Sequence, residues 1–595
     1  MSKKKSRKRK QQEASKRRSA PVEQVPTGPY TSERPTGKES VKSGGFMSFH
    51  GFRELVESVV IAFVLAFLFR TFEAEAFVIP TGSMANTLMG RHKDFECDKC
   101  GYQFQVSASE EIDADSGIPT GRVVTGGVCP MCRHRMELSP AGLKKKDNRS
   151  FNGDRIIVGK FMYQFEDPKR WDVAVFKFPA QAKTNFIKRL VGLPNETVRI
   201  SRGDLFIKPK DGTEFSIARK PPDKMRAMLK VVYDNDYVLP GMIEKGWPSR
   251  WQDENGSDGW KSSSDHREFS TSGTGEGTAW LQYRHVVPMP ADWNALDRGP
   301  LPENYPVKPQ LITDFAAYNS GVWKDIQHGA ASNGIRGYGT QWVGDLALEF
   351  ELQVESTSGK VLLKLVEGGR NMLCTIDLAT GKALLTISGE TYEWTGTTPI
   401  SKPGTYKVMF SNVDDQLRLW VDDDLVTFDK PTTYGDLNNH RPRKEDLVPV
   451  SIGSQGAKLR VRHLKVLRDI YYIADNKGGN GGVSDFNSPL SVFGSRTPHN
   501  LSQFFSDPSR WDVFGTDAMH DVEFTLGDDQ FFMLGDNSPM SRDSRLWDPP
   551  EYYVDRDLLI GKALYIYWPH SWDKVPGTDV PFPFFPNVKE MGFVR

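Results

Sequence analysis

The sequence of 595 residues is poor in cysteine, in long apolar runs and in recognisable histidine motifs. Five cysteines are too few for a disulfide-dense scaffold. A single long apolar run, residues 59–69, excludes a protein with many membrane spans. Neither G-x-S-x-G nor H-E-x-x-H occurs, which excludes the hydrolases that carry those motifs. What remains is a loop-rich globular chain, with 53 Gly and 38 Pro, long enough for several domains.

Charge is distributed unevenly, although the formal net charge is only +1. Residues 1–18 contain ten Lys or Arg and one acidic residue, whereas the rest of the chain is net acidic. Residues 1–50 hold few large apolar side chains and are predicted to form a basic disordered tail in the cytoplasm. A tail of this kind binds nucleic acid or anionic lipid, or acts as a topology signal. We expect the last role and no nucleic-acid partner.

The apolar segment after the tail is predicted to be a transmembrane anchor over residues 51–72. Its uncharged run of 11 residues is short for a span, so a buried soluble helix is one alternative. A cleaved signal peptide is another, because residues 74–76 read A-x-A, but signal peptides place only about 15–30 residues before the cut. The basic tail favours a single anchor that leaves everything after residue 72 outside.

Short strand-like segments dominate after the anchor and predict a mainly β fold. The first set, residues 154–200, is β-branched or aromatic and is interrupted by Gly, Pro and Asn. A second set begins at residue 342, where apolar and polar residues alternate strictly from Leu346 to Val354. The pattern recurs to about residue 470 at the spacing of an all-β sandwich. Strand patterns return at residues 521–568, after a linker rich in Gly and Asn.

Ser83 and Lys188 are the candidate catalytic pair. Ser83 lies in "FVIPTGSMANTL", although Thr-Gly-Ser is also ordinary turn chemistry. If "NFIKRLV" is a strand, Lys188 shares a face with Phe186 and Leu190, which would desolvate its amine and lower its pKa toward neutrality. Arg189 would lie on the opposite face and stay solvated. The alternative is a Lys188 that snorkels from a sheet edge.

The order of these segments resembles the type I (leader) signal peptidases, membrane-anchored serine proteases with a Ser/Lys dyad. "PTGSM" (80–84) is similar to their nucleophile box, "FIKRLVGLPNETVRI" (186–200) to their lysine box and "GDNSPMSRDSRLW" (535–547) to their C-terminal box. "GDRIIVGKFMY", "RWDVAVFKFP" and "IGKALYIYWP" look like further strands of the family. The resemblance covers about a third of the chain, in the same order as in the family.

The resemblance implies a role for each residue of the catalytic centre. Ser83 would be the nucleophile and Lys188 the general base. The N–H of Ser83 and the hydroxyl of Thr81 would stabilise the oxyanion. Ser541 would hydrogen-bond Lys188 and orient it.

Four further positions concern the loops around the centre. Asp543 and Arg545 would pair and hold the C-terminal loop. Ser538 stands where the family usually has Arg, and Asn86 stands where it usually has Pro. These two departures remove no catalytic atom, but they affect the local shape of the loops.

The resemblance also implies the activity, the fold and the location. The chain would remove signal peptides from exported preproteins after A-x-A, through an acyl-enzyme and without a catalytic cofactor. The catalytic domain would be antiparallel β, built from residues 73–96, 141–210 and 521–595. It would lie at the outer face of a bacterial inner membrane, with preproteins and membrane lipid as partners.

Two insertions interrupt this catalytic domain. Residues 97–140 carry Cys97, Cys100, Cys129 and Cys132, whose C-x-x-C pairs predict a zinc ribbon with one structural zinc ion. Two disulfides are the alternative, because the segment would lie outside the membrane. Residues 211–520 contain the predicted sandwich, about 342–470, which resembles the concanavalin-A/laminin-G jelly roll. A membrane-anchored carbohydrate- or partner-binding protein with a degenerate protease domain is therefore the alternative function.

Overall fold

The computed structural model shows a chain whose main elements are β-strands. The structure describes residues 55–64, 74–113, 116–139, 149–254, 259–274, 277–437, 440–476, 484–547, 551–575 and 580–595. The predicted tail, residues 1–50, lies outside these ranges, as does most of the predicted anchor apart from a helix at 55–64. None of the helices in the described ranges is both long and apolar enough to cross a membrane.

Eleven strands lie in the described residues up to position 217. They are β1 (Ala74–Val78), β2 (His92–Glu96), β3 (Gln103–Ser107), β4 (Arg122–Val128), β5 (Arg135–Glu137), β6 (Arg155–Gly159), β7 (Val173–Phe178), β8 (Gln181–Gly192), β9 (Glu196–Ser201), β10 (Asp204–Pro209) and β11 (Ser216–Ile217).

The large insertion holds the next sixteen strands. They are β12 (Lys230–Asp234), β13 (Trp251–Asp253), β14 (Lys261–Ser262), β15 (Glu268–Thr271), β16 (Ala279–Tyr283), β17 (Val322–Asp325), β18 (Leu346–Val354), β19 (Lys360–Glu367), β20 (Arg370–Asp377), β21 (Lys382–Ile387), β22 (Glu393–Thr397), β23 (Gly404–Asn412), β24 (Leu417–Val421), β25 (Asp424–Leu425), β26 (Val450–Gln455) and β27 (Leu459–Arg468).

The remaining strands and the helices complete the element order. The strands are β28 (Val522–Thr525), β29 (Gln530–Leu534), β30 (Val554–Asp555), β31 (Leu559–Trp568), β32 (Ser571–Lys574), β33 (Pro581–Pro586) and β34 (Gly592–Phe593). The α-helices of the unit that begins at residue 66 are short: Met162–Phe165, Pro222–Met228, Pro240–Glu244, Pro290–Arg298, Pro489–Phe493 and Pro498–Phe505.

The candidate catalytic centre is built on an antiparallel sheet in the order β1-β6-β31-β7-β8-β29-β30, with β34 paired to β31. Strands from the N-terminal and C-terminal parts of the chain therefore lie side by side in one sheet. A second sheet, β11-β10-β9-β28, continues from it. The two faces of β8 alternate as the sequence predicts. Leu190 packs in one apolar cluster, whereas Ile187 and Val191 pack in others.

The insertion contains two more antiparallel sheets. One runs β14-β15-β27-β18-β23-β24-β25, with β12 also paired to β27, and the other runs β13-β16-β26-β19-β20-β21-β22. Their inward residues meet in one core, in which Leu348 and Phe350 of the first sheet accompany Leu363 and Ile452 of the second. Strict alternation produces this core, because every second side chain of a strand faces the same way. The prediction of a mainly β chain with antiparallel sheets is confirmed.

The sandwich begins earlier than the predicted residue 342. Strand β12 pairs with β27, β15 also pairs with β27, and β16 pairs with β26. Trp251, Phe269 and Tyr283 from this early region are buried in the shared core. Short strands separated by Gly-, Trp- and Pro-rich loops show no periodicity in the sequence, which explains why the boundary was missed.

The predicted domains are in close contact. Residues 66–595 form one compact unit by their internal contacts. Strand β17 of the large insertion pairs with β4 of the cysteine-containing insertion, in the order β17-β4-β5. Phe104 and Val124 of that first insertion, together with Phe95 just before it, belong to the same core cluster as the sandwich. The two insertions thus support each other, and together they lie against the catalytic sheet.

Candidate active site

Ser83 occupies a tight turn that follows β1. Residues Gly82–Met84 form a single 3-10 turn, and all three are buried. The chain enters this turn through Ile79, whose N–H donates to Asp154 O over 2.9 Å, and leaves it through Leu88, whose N–H donates to Met84 O over 2.9 Å. These bonds fix the turn at both ends. We call residues 81–84 the nucleophile turn.

Lys188 reaches the nucleophile turn from β8. Its Nζ lies 2.7 Å from Ser83 Oγ and 2.9 Å from the carbonyl oxygen of Ile187. The Phe186 ring centroid is 5.2 Å from the same nitrogen. Lys188 is only 4% exposed, so the structure does not place it snorkelling at a sheet edge. The predicted pair, 105 residues apart in sequence, is brought within hydrogen-bond distance.

The electrostatic surroundings of Lys188 favour its neutral form. Burial disfavours the ammonium and lowers the pKa of Lys188 to about 8, against the opposing influence of the Asp543 and Asp536 carboxylates. A neutral amine has one lone pair and can accept the Ser83 proton. The two side chains are therefore within hydrogen-bond distance, and Lys188 loses its proton at a lower pH than an exposed lysine does.

The C-terminal loop holds the backbone of the nucleophile turn. Asn537 donates from its backbone N–H to Ser83 O over 3.0 Å and from Nδ2 to Gly82 O over 2.9 Å. Gly535 is required at this contact, because a Cβ there would lie 2.5 Å from Ser83 O and 2.1 Å from Ser541 Oγ. The close approach of the two segments thus depends on a residue without a side chain.

The structure places Ser541 beside Ser83 but forms no hydrogen bond between Ser541 and Lys188. Ser541 is buried, and its Oγ has no hydrogen-bond partner within the described ranges. The second partner of Lys188 Nζ is the carbonyl of Ile187 instead. The hydroxyl lies close to Gly535. The orienting bond expected from the sequence is thus not present.

Thr81 is the first residue of the nucleophile turn and has extended backbone, with φ −121° and ψ 157°. Its side chain makes no capping hydrogen bond to the turn. It is exposed to the same cleft as Ser83. A hydroxyl without an internal partner is free to donate to a ligand in that cleft.

Asp543 and Arg545 form a fully buried, bidentate ion pair. Arg545 donates from Nε to Oδ1 and from Nη2 to Oδ2 of Asp543, each over 2.8 Å. It also donates from Nη1 to Ile473 O and to Ser538 Oγ. Ser538, where the family usually has Arg, therefore serves as a small acceptor beside Arg545. The Asp543 carboxylate also accepts the N–H of Gly535 over 3.0 Å.

Arg189 was expected to stay solvated, and this expectation is wrong. It is 0% exposed and donates from Nε and Nη2 to the two oxygens of Asp536, over 2.7 and 2.6 Å. Its Nη1 donates to Trp171 O over 2.9 Å. Burial alone would raise the pKa of Asp536, but the charge and hydrogen bonds of Arg189 outweigh burial and lower it. The sheet is covered on both faces, so Arg189 has no route to water.

A cleft of about 530 Å³ opens in front of Ser83. The nucleophile turn, β8 and the C-terminal loop form one side of it. The other side is made by the insertions, whose lining residues are Ser107, Ser109, Glu110, Val124, Tyr318, Asn319, Gly321, Trp323, Ser332 and Arg336. More than a third of the lining thus lies outside the segments that resemble a peptidase.

Part of the cleft is bordered by an open strand edge. Strand β29 pairs with β8 at Arg189, Leu190 and Gly192, whereas β7 pairs with β8 along most of its length. Asn185, Phe186 and Ile187 line the cleft on the side beyond the end of β29. Backbone groups on such an edge can pair with an extended peptide.

The four paired cysteines converge in the first insertion. Cys97 Sγ and Cys132 Sγ are 3.5 Å apart, and Cys100 Sγ and Cys129 Sγ are 3.6 Å apart. All four ligand atoms lie within 4.8 Å of one another, and none of the four forms a disulfide. Sulfurs bound to one zinc at about 2.3 Å have similar separations, so the arrangement fits a tetrahedral metal site.

Three residues of the site escaped the sequence analysis. Asp536 and Asn537 lie inside the quoted C-terminal box. The "GDN" motif was therefore visible in the sequence, but it did not indicate which residues these two side chains contact. Asn319 lies in a stretch without periodicity or motif, and only the fold brings it to Asn537. Contacts between residues 218 positions apart leave no local signature.

Comparisons with known proteins agree with the peptidase segments. The family described as "Signal peptidase, peptidase S26" matches residues 145–242 and 407–568, less than half of the chain. The matched ranges include Lys188, Ser541, Asp543 and Arg545, but not Ser83.

Individual relatives have the same description. "Probable signal peptidase I-2" of Synechocystis is 36% identical over 91 residues, covering 14% of this chain and 41% of that protein. "Signal peptidase I" of Leptolyngbya laminosa is 37% identical over 94 residues, covering 14% and 45%. The chain therefore spans less than half the length of these curated relatives. The matches support signal peptidase I, a serine protease and hydrolase, as the class of enzyme.

A search of solved structures matched proteins that align with part of the chain. The carbohydrate binding module CBM66 from Bacillus subtilis is 10% identical and covers 37% of this chain and 93% of that one, with a TM-score of 0.17. A score this low carries no argument about fold or ligand.

The Arg189–Asp536 pair yields a stability prediction. Asp536→Ala leaves the guanidinium buried without its counter-charge, so we expect the free energy of unfolding to fall by about 3–5 kcal/mol. Denaturant unfolding followed by circular dichroism measures it. Glu166→Ala, which removes the exposed Lys169–Glu166 pair, should leave the unfolding midpoint nearly unchanged. Equal midpoints for both variants would contradict the structural role of the buried pair.

Proposed function

We propose that this chain is a serine endopeptidase that removes signal peptides from preproteins by a Ser83/Lys188 dyad. The observation that carries the proposal is the 2.7 Å contact between Lys188 Nζ and Ser83 Oγ at the bottom of a cleft. Burial lowers the pKa of that lysine to about 8, close to a working pH. The similarity to signal peptidases gives the class of substrate.

The chemistry follows from the positions of the two side chains. Once Lys188 has lost its proton, it still donates one N–H to Ile187 O, and across the 2.7 Å contact its lone pair accepts the O–H of Ser83. As Ser83 Oγ attacks the scissile carbonyl, its proton passes to Lys188. The resulting ammonium then protonates the leaving amine, which releases the C-terminal product and leaves an ester on Ser83. Lys188, neutral again, takes a proton from water as the water oxygen attacks the ester carbonyl. The Lys188 ammonium then returns this proton to Ser83 Oγ, which releases the new C-terminal carboxylate and restores the free serine.

Developing charge on the carbonyl oxygen needs donors aimed at it. The N–H of Ser83 and the hydroxyl of Thr81 are the proposed pair, because Thr81 borders the cleft and makes no hydrogen bond within the turn. Ser541, without a partner for its hydroxyl, is the proposed orienting neighbour that engages Lys188 during turnover. Asp543 and Arg545 hold the loop on which Ser541 lies.

The open edge of β8 suggests how the substrate binds. An extended preprotein segment can pair with the backbone of residues 185–187, which places its carbonyl beside Ser83. Phe186 and Ile187 give this side of the cleft an apolar surface that suits small side chains, as in A-x-A. On this basis, the proposed function includes cleavage after small residues.

Attachment to a bacterial inner membrane is a further part of the proposal. It rests on the basic tail followed by the apolar run of residues 59–69. The helix at residues 55–64 carries exposed Ile61 and Phe63, 58% and 73% accessible, which suits contact with lipid. The catalytic part would then face outward, toward exported preproteins.

A structural zinc ion at Cys97, Cys100, Cys129 and Cys132 is proposed from the converging sulfurs. It would cross-link the first insertion, whose Ser107, Glu110 and Val124 line the cleft. Trp293 of the large insertion donates from Nε1 to Cys132 O over 3.0 Å, so the ribbon is anchored to that insertion as well. The sandwich, for its part, has two sheets around one core, as a jelly roll does, and we propose no separate binding role for it.

The dyad is tested by purified variants acting on a preprotein with an A-x-A site. Ser83→Ala and Lys188→Ala should each abolish cleavage while the circular dichroism spectrum stays unchanged. Lys188→Arg should also fail, because arginine stays charged at working pH. Lys183→Ala, an exposed lysine on the same strand, is the matched control and should cleave normally. Turnover by Ser83→Ala would refute the mechanism.

The pKa of Lys188 predicts the pH dependence of cleavage. Because the base is active only when deprotonated, kcat/KM should rise as pH increases through about 8 and level off above it. Initial rates measured between pH 6 and pH 10 provide the profile. A profile that is flat across this interval would exclude Lys188 as the base.

Metal analysis of native purified protein tests the zinc proposal. One zinc per chain is expected, and Cys97→Ser should lose it and lower the melting temperature, because the metal binding energy is folding energy. Cys374→Ala should retain the zinc, since Cys374 lies apart from the other four in the sandwich core. A metal-free protein whose unreduced mass is four hydrogens lower would show two disulfides instead.

A further inference from the structure

The large insertion contacts the nucleophile turn directly. Residues Ala317–Asn319 form a short 3-10 turn within it, and Tyr318 is only 2% exposed. The Tyr318 ring packs so closely on Gly82 that a Cβ added there would lie 2.1 Å from Cε1. Tyr318 Oη also donates to Arg91 O over 3.3 Å. One element of the insertion therefore lies against the residue that precedes Ser83.

Asn319, the next residue, is paired with Asn537. Asn319 Nδ2 donates to Asn537 Oδ1 over 2.7 Å, and Asn537 Nδ2 donates to Asn319 Oδ1 over 2.8 Å. Both side chains are buried, at 8% and 5% exposure. Two buried amides that satisfy each other in both directions form a well-defined contact.

This amide pair fixes the position of the Asn537 side chain. The oxygen and nitrogen of an amide are similar in size, so their partners decide the orientation. With Asn319 present, one Asn537 Nδ2 hydrogen goes to Asn319 and the other goes to Gly82 O. Gly82 O decides which end of the Asn537 amide faces it, because an amide oxygen would be repelled there, and the two bonds to Asn319 keep the amide in that place. Asn319 thus secures a bond that it does not itself make.

Asn319 is in turn held by both insertions. Its N–H donates to Ala316 O over 3.0 Å. The following residue, Ser320, accepts the N–H of Val128 on its Oγ over 2.9 Å, and β17 then pairs with β4. The turn at 317–319 is therefore fixed to the sheet of the first insertion. It cannot move away from the nucleophile turn without breaking that sheet.

We propose that Asn319 is a positioning residue of the catalytic centre. It holds the Asn537 amide toward Gly82 O, and this contact aims Ser83 Oγ at Lys188. The large insertion is then a working part of the peptidase. The inference rests on the proposed function, because it assigns a role in the same reaction.

The expected effect is on turnover. Asn319→Ala should lower kcat for preprotein cleavage by about ten- to a hundredfold with little change in KM, since a misplacement of about 1 Å costs up to about a hundredfold. Asn319→Ser, which removes both hydrogen bonds but keeps a polar side chain, should behave alike. Asn333→Ala is the matched control: this exposed asparagine lies in the same insertion, and its side chain accepts one bond from Ile335 N–H. It should keep the wild-type kcat.

A double-variant cycle separates positioning from a general loss of structure. If Asn319 acts only through Asn537, the Asn319→Ala/Asn537→Ala protein should be no slower than Asn537→Ala alone. Multiplied losses in the double variant would overturn the inference, as would a wild-type kcat in a folded Asn319→Ala or Asn319→Ser protein. Melting curves establish folding, and the serine variant replaces the alanine variant if the latter fails to fold.

Failure of this inference is distinguishable from failure of the proposed function. If the wild-type protein does not cleave the preprotein, or if the Ser83→Ala protein does, the proposed peptidase function is refuted. If the wild-type protein cleaves, the Ser83→Ala protein does not and the Asn319→Ala protein has a normal kcat, only the positioning role of Asn319 is refuted.

Discussion

The desolvation of one amine is the constraint on which the rest of the structure depends. Lys188 can serve as a base only if water is kept from its Nζ while Ser83 Oγ stays 2.7 Å away. Phe186 is an apolar neighbour of the amine on β8, and the carboxylates of Asp536 and Asp543 in the loop at 535–545 lie near enough to act on its pKa. Buried ion pairs fix that loop in place. A flexible loop would admit water, and the pKa of Lys188 would return to the ordinary value of a lysine.

The sequence predicted the chemistry of the site better than its architecture. Ser83, Lys188 and the Asp543–Arg545 pair lie in contiguous boxes, and alternation on β8 was enough to identify the apolar face beside Lys188. Alternation could not show that the opposite face is also covered, so the burial of Arg189 against Asp536 was missed. A strand pattern reports which residues share a face, but it does not report what packs against that face.

The insertions show the same limit at a larger scale. Regular alternation identified β18 to β27 as a sandwich, whereas the short strands β12 to β16 were missed because their pairing partners lie far along the chain. Asn319 was invisible for the same reason, since its contact with Asn537 joins two loops and follows no period. The ordered cysteine spacing, by contrast, was enough to predict that the four sulfurs would meet.

The distance along the chain between the partners of the nucleophile turn affects how the protein is made. The hydrogen bond from Asn537 to Gly82 joins residues 455 positions apart, and Asn319 must already be in place to hold it. A ribosome that has completed Ser83, Lys188 and the whole sandwich has still not supplied the residues that hold the turn of Ser83. Synthesis from the N-terminus therefore delays these contacts until the last tenth of the chain is present, and the proposed catalytic centre is incomplete in a growing chain.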